Sequence, residues 1–367
     1  MFHTHHFGGK IMKKFLSVFL AAVLAALIFA GCSNSGNTGS KTTPNPNANN
    51  NGNAEGIVKV GLGQNISIAK SKSAEGENGA VAQVDTVMAA VGLDKDGKVV
   101  SVTIDNAQTR VNFDKDGKIT SDLNEELKTK VELGDKYGMK SQSGIGKEWY
   151  EQIAELEKWM IGKTIDEIKN LKTKKTDDNH PAVPDVPELT SVVTISVQDY
   201  IAAVAEAVDN AIAVENATKV GLGHNVSIAK SKSSEGDNGP VAQVDTVMAA
   251  TAFTADNKVA GIIIDNAQTR VSFDKNGKIT SDLNEELKTK VELGDKYGMK
   301  SQSGIGKEWY EQIAELSKWM KGKTMDEVTK MKNENTNSAD IPELNSLVTI
   351  SIQDYIKAIV ESFDNAK

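Results

Sequence analysis

Two short segments carry the residues best placed to do chemistry. Glu188-Leu189-Thr190-Ser191-Val192-Val193-Thr194 is echoed by Glu343-Leu344-Asn345-Ser346-Leu347-Val348-Thr349, and each sets an acid six residues before a threonine. A serine (Ser196, Ser351) follows two residues on and opens a long helical pattern. Free N–H groups at a helix start favour a phosphate, so a threonine two residues upstream is placed to carry or touch one. Read without that chemistry, TSVVTIS is an edge strand running into a capped helix. Large rings are few. Tyr137, Trp149, Tyr150 and Trp159 are among those of the first copy. Trp149 falls at helical spacing and reads as core. Tyr137, in the glycine-flanked ELGDKYGM, is the fairer candidate for stacking on a planar ligand, with Tyr297 as its counterpart.

Other chemistries lack their residues. Cys32 is the only cysteine, so no thiol is left for a disulfide, a nucleophile or a soft metal. Beyond His3, His5 and His6 the histidines are His180 and His224, far apart in sequence, which argues against a histidine metal site or a Ser-His-Asp machine. The net charge is −8 and falls to −11 without residues 1–31, which hold three lysines and no acid. That balance argues against nucleic acid and against flat adsorption on anionic lipid. The DKDG runs at Asp94–Gly97 and Asp114–Gly117 lack the spacing of a calcium loop and read as β-turns with a left-handed glycine. Gly61-Leu62-Gly63 lacks the longer phosphate-loop pattern and reads as a bend or bulge.

The N-terminus sets a compartment. Residues 13–32 (KKFLSVFLAAVLAALIFAGC) join a basic stretch, a short apolar run and small residues before Cys32, a secretory signal, not a spanning anchor. Met12 is the more natural start, since MKK then opens the basic region. Phe29-Ala30-Gly31-Cys32 resembles a bacterial lipobox, which implies cleavage before Cys32 and a diacylglyceryl group on its sulfur. Residues 33–56 are Asn, Gly, Ser, Thr and Pro with almost nothing apolar, the composition of a flexible tether reaching about 25–30 Å.

Past the tether the sequence repeats. VGLGQNISIAKSKS from Val60 returns as VGLGHNVSIAKSKS from Val220, and the 40 residues from Gly117 to Leu156 recur unchanged at Gly277 to Leu316. The period fits two domains, at 57–214 and 215–367, better than a solenoid. Identity this complete reports recent duplication and singles out no functional residue. In each copy, Ile66–Ala69, Val81–Val91, VVSVTID after the first DKDG turn, and Thr109–Phe113 have strand character. SDLNEELKTKVEL from Ser121 reads as helical. Ile145, Trp149, Ile153, Leu156 and Met160 mark an amphipathic helix. Thr164 with Glu167 caps a short helix, a proline-bearing loop follows, and a helix from about Val197 to Ala213 closes the copy with Ser196 as N-cap. The fold class expected is α+β: two tandem homologous domains, each an antiparallel sheet packed with helices.

The threonine segment resembles the D-x-x-S-G-A-T flavinylation motif of FMN-binding domains, in which an ApbE-type transferase esterifies FMN phosphate to the last threonine. With the lipobox, the tether, the two copies, and phrases such as AQTRVNFDKDGKITSDL and ELGDKYGMKSQSGIGKEW, nearly the whole mature chain resembles the FMN-binding lipoproteins of Gram-positive flavin-based extracellular electron transfer. The resemblance implies covalent FMN on Thr194 and Thr349, with Ser191 and Ser346 at the motif serine and Glu188 and Glu343 at its acid. Val192-Val193 and Leu347-Val348 stand where the motif has Gly-Ala, and Glu stands for Asp; Thr86 and Thr246 are the other hydroxyls considered for the ester. It further implies a carrier, not a substrate-turning enzyme, lipid-anchored on the outer face of the plasma membrane. Electrons would come from a membrane quinol-linked dehydrogenase and leave to ferric iron or soluble flavin. The signal segment of such lipoproteins can also yield a secreted signalling peptide. Two other classes stay open: a cofactor-free solute-binding or adhesive lipoprotein, and a stand-alone oxidoreductase with dissociable FMN.

Overall fold

The computed structural model describes residues 56–332 and 338–367. Cys32, the expected signal and the expected tether up to residue 55 lie outside the described residues. Among those described, no helix is long and apolar enough to cross a membrane.

The first copy runs through β1 (Ile57–Ser67), β2 (Val81–Leu93), β3 (Val99–Asn112), α1 (Lys130–Leu133), α2 (Trp149–Met160), α3 (Ile165–Lys169), β4 (Thr173–Lys174), β5 (Val183–Pro184) and α4 (Gln198–Asp209). The second runs through β6 (Ile212–Ser227), β7 (Val241–Thr254), β8 (Val259–Ser272), α5 (Lys290–Leu293), α6 (Trp309–Met320), α7 (Met325–Thr329) and α8 (Gln353–Asp364). The fold is mixed helix and sheet, with an antiparallel sheet of six strands in the order β3-β2-β1-β6-β7-β8. β1 pairs with β6 (Lys59 with Ala213, Val60 with Ile212), so both copies share this one sheet. The expected boundary at 214/215 falls inside β6.

The sheet folds back so that the inner faces of the copies meet. Ile57, Leu62 and Met88 pack with Val220, Leu222 and Met248 in one apolar cluster. At one end Phe113 meets Phe273 edge-on at 5.5 Å between ring centroids. Two mirrored backbone bonds, Ala74 N–H to the Gly277 carbonyl and Ser234 N–H to the Gly117 carbonyl, both 2.9 Å, latch the same end. On the outer faces the helices close a separate core over each copy, around Trp149, Leu156 and Val204 in the first and Trp309, Leu316 and Ile359 in the second. This explains the near-continuous apolar run of β2: alternate residues enter different cores, Val87 and Ala89 under the helices, Met88 and Ala90 against the other copy.

Several expected elements come out differently. β1 begins at Ile57, nine residues before the expected run. Its Gly61 and Gly63 pair regularly with Val91 and Ala89, so GLG is neither bend nor bulge. Glycine is required there because a Cβ would run into the Ala207 and Ala203 carbonyls of α4. β3 joins the two expected runs into one strand. The segment after Ser121 becomes helical only at Lys130, where Thr129 and Glu132 form a capping box, because Leu123 and Leu127 serve the end cluster instead. α2 starts at Trp149, not Ile145, behind the Glu148–Glu151 capping box. TSVVTIS is a turn followed by irregular chain, not an edge strand. Val197 is the N-cap of α4, while Ser196 accepts the Ala182 N–H at 3.2 Å. α4 stops at Asp209 and the chain enters β6 within three residues, well short of the expected Ala213. The Thr164–Glu167 box and the turn at Gly97 (φ +75°) are as expected; in the second copy Asn257 (φ +62°), an amide side chain that tolerates this region, takes the turn's left-handed position.

Candidate functional site

In the second copy a cleft of about 260 Å³ opens between the outer face of the sheet and the start of α8. Strand alternation puts Asn225, Asp245, Val247 and Asn266 on this face, and helical residues supply the opposite wall. Tyr297, Met299 and Trp309 form one side, two rings and a thioether. Ile350 and Ser351, the residues directly after Thr349, form the rim where α8 begins. The sequence-expected stacking ring and the chain around the expected flavin-bearing threonine therefore meet at one cleft.

Two residues that sequence reasoning did not single out build this arrangement. Glu308 closes the capping box of α6 with Glu311, and its carboxylate also accepts the N–H groups of Met299 and Lys300, both at 2.9 Å. That folds the loop bearing Tyr297 back onto the helix start. Gln312, with no exposed surface, accepts the Thr349 N–H at 2.8 Å, and its Oε1 lies 3.3 Å from the Thr349 hydroxyl. Glu148 and Gln152 do the same in the first copy, for Met139, Lys140 and Thr194. All four lie in or beside the stretch repeated without change, where nothing in one sequence marks them out.

The cleft is electrically structured. Asp245 is buried, takes the Gln243 amide at 3.0 Å and pairs with Lys230 at 3.1 Å. Lys290 reaches over the rings of Tyr297 and Trp309 at 5.0 and 5.3 Å from their centroids. Burial pushes its ammonium down to about 8 against the pull of Asp245. Trp309 donates to the Tyr355 hydroxyl at 2.8 Å, with the rings edge-on. Burial also raises the Tyr297 phenol, whose hydroxyl lies 3.1 Å from Gln268 Oε1. Asn266 lines the cleft, and its side-chain oxygen is buried without a hydrogen-bond partner.

The other expected residues divide clearly. Thr349 and Ser346 are exposed and Thr194 is half-buried. Glu188, Glu343 and Ser191 are exposed too, but Glu343, Ser346 and Thr349 itself are not among the residues that line the cleft. The turn is instead fixed from below by Leu189 and Val193, and by Leu344 and Val348, which sit in the cores. Thr86 and Thr246 are 1% and 0% exposed, so no enzyme reaches them in the folded chain. Tyr137 sits in the same place as Tyr297, packed against the first core beside Trp149 with Lys130 over both rings.

A larger cavity, about 490 Å³, lies at the junction of the copies and holds none of the residues expected from sequence. His224 is on its wall between Glu132 and Glu361. Burial alone would lower its pKa, but the charge of Glu361 and hydrogen bonds to both carboxylates outweigh it and hold the imidazole well above its ordinary value.

No protein-family model matches the chain, and no solved structure matches it. Among curated proteins, a chlorophenol reductase from Desulfitobacterium hafniense is 44% identical over 52 residues, which are 14% of this chain and 16% of that protein. The chain thus matches about a sixth of that relative's length.

Proposed function

We propose that each copy works as an FMN-binding domain whose flavin is held by a phosphate ester to Thr194 or Thr349, and that the chain is an electron carrier. The observation that carries this reading is the cleft at which Tyr297, Trp309 and the chain following Thr349 converge. At about 260 Å³ it is a little under the ~300 Å³ where small-molecule sites begin, which suits a ring system whose phosphate end stays outside on a surface hydroxyl. Bound there, the isoalloxazine supplies the one- and two-electron chemistry that no side chain of this protein can.

The chain's own groups bind, orient and tune. Tyr297 and Trp309 offer an apolar wall. Asn266, whose side-chain oxygen has no partner, and Lys290 are the polar groups that would face a flavin held there, and the lysine would set a positive charge near one that reduction makes negative. Gln312 fixes the Thr349 backbone so that its hydroxyl keeps a constant place at the start of α8. With a lipid on Cys32 and a tether behind it, such a carrier would take electrons from a membrane quinol-linked dehydrogenase and pass them to ferric iron or soluble flavin. The likeness to a fragment of a reductase sets a redox protein, by name, beside 52 residues of this chain.

The test is intact mass and peptide mapping on protein from a host that makes the ApbE-type transferase. Two FMN adducts are expected, one lost in Thr194→Ala, one in Thr349→Ala and both in the double variant. Colourless, unmodified wild-type protein from such a host would refute the carrier reading; adducts surviving in the double variant would move the ester to other residues.

A further inference from the structure

We propose that Glu132, His224 and Glu361 form a site for one divalent transition-metal ion, of the zinc type, at the junction between the two copies. The three come from α1 of the first copy and from β6 and α8 of the second, and each offers one ligand atom, all within 4.8 Å of one another. His224 Nε2 lies 3.0 Å from Glu132 and Nδ1 lies 3.0 Å from Glu361, whose other oxygen accepts the His224 backbone N–H at 2.6 Å. Imidazole with carboxylate oxygens is a zinc-type donor set with bonds of about 2.0–2.2 Å; an ion takes one ring nitrogen only, so binding replaces the hydrogen bond at that nitrogen and draws the second carboxylate round from the other. The imidazole ring is 6% exposed, while Glu132 and Glu361 open onto the 490 Å³ cavity, which gives an ion its entry and water its remaining positions. Without an ion the two carboxylates keep His224 protonated, so metal binding must release that proton; the two carboxylates around the then neutral imidazole carry two negative charges, which one divalent cation balances.

The duplication supplies its own comparison. At the mirrored place stand Gln64, Glu206 and Glu292. There the Gln64 amide donates to Glu206 at 2.5 Å and to Glu292 at 3.2 Å. A neutral amide can hydrogen-bond two carboxylates but is a poor ligand for this class of ion. One substitution between near-identical segments therefore separates a hydrogen-bonded cluster from a ligand set. This proposal stands apart from the flavin reading, since no residue of the flavin cleft takes part.

The experiment titrates Zn²⁺ by calorimetry into the full chain, freed of metal with a chelator and carrying His3→Ala, His5→Ala and His6→Ala to silence the N-terminal histidines. One bound ion is expected. His224→Gln, which copies the first repeat, should weaken binding by more than about tenfold, since losing a ligand costs at least as much as losing the group that orients one. Gln64→His should add a second ion on Glu206 and Glu292. The proposal is overturned if the parent binds no Zn²⁺, if His224→Gln binds as the parent does, or if a folded Gln64→His still takes only one ion.

Discussion

Asp265 is a buried carboxylate that works against the fold at neutral pH. Burial raises its pKa from 3.8 to about 6, even though it accepts the Asn266 N–H at 2.6 Å and the Val291 N–H at 3.2 Å. In the window between those two values the folded state binds more protons than the unfolded one, so stability falls as pH rises through it. A shift from 3.8 to about 6 is worth roughly 3 kcal/mol, lost by pH 7 and fully present below pH 3.8. Asp265→Asn keeps the acceptor oxygen for both N–H groups and removes the charge. It should therefore stabilise the protein at pH 7 by about 1–3 kcal/mol and do little at pH 4. Urea unfolding of wild type and variant at pH 4, 5, 6 and 7 reads this directly. Equal gains at pH 4 and pH 7, or a less stable variant at pH 7, would show that the carboxylate is not penalised by burial.

Three further substitutions probe the packing and the cleft. Gly61→Ala should cost about 3 kcal/mol or more in chemical unfolding, because its Cβ meets the backbone of α4, which cannot rotate aside; Gly97→Ala, left-handed but facing open space, should cost only about 1 kcal/mol, and a smaller loss for Gly61→Ala than for Gly97→Ala would mean α4 does not lie this close. Glu308→Ala should speed hydrogen exchange at the Met299 and Lys300 amides by at least tenfold and cost about 2–3 kcal/mol, since it removes the acceptor of both. Unchanged protection at those amides would mean that the Tyr297 loop is held by something else.

Much of the local structure was legible from the chain. Thr164 with Glu167, the DKDG turns and the Ile145–Met160 stripe are decided within a few residues, by capping, by φ at one glycine and by a period of 3.6; all three appear, the stripe as a helix only from Trp149 on. The site was legible only in part. Tyr297 and Thr349 stood out as an unexplained ring and a hydroxyl before a helix, but Gln312, Glu308, Lys290 and Asn266 did not. Their roles depend on partners about nine to nearly forty residues away, or across a strand ladder, and a periodicity cannot report those.

Sequence by itself determined the duplication, the scarcity of thiol and imidazole chemistry, and the alternation of strands and helices in each copy, because these follow from composition and short-range pattern. Tertiary structure alone decided that the copies share one sheet, that GLG lies flat beneath a helix, and that His224 stands between two glutamates from different copies. The physical reason is one of range. Hydrogen bonding along a helix or turn is settled among neighbours. Which sheet edge meets which, and which charges share a buried space, is settled by how two apolar faces exclude water together.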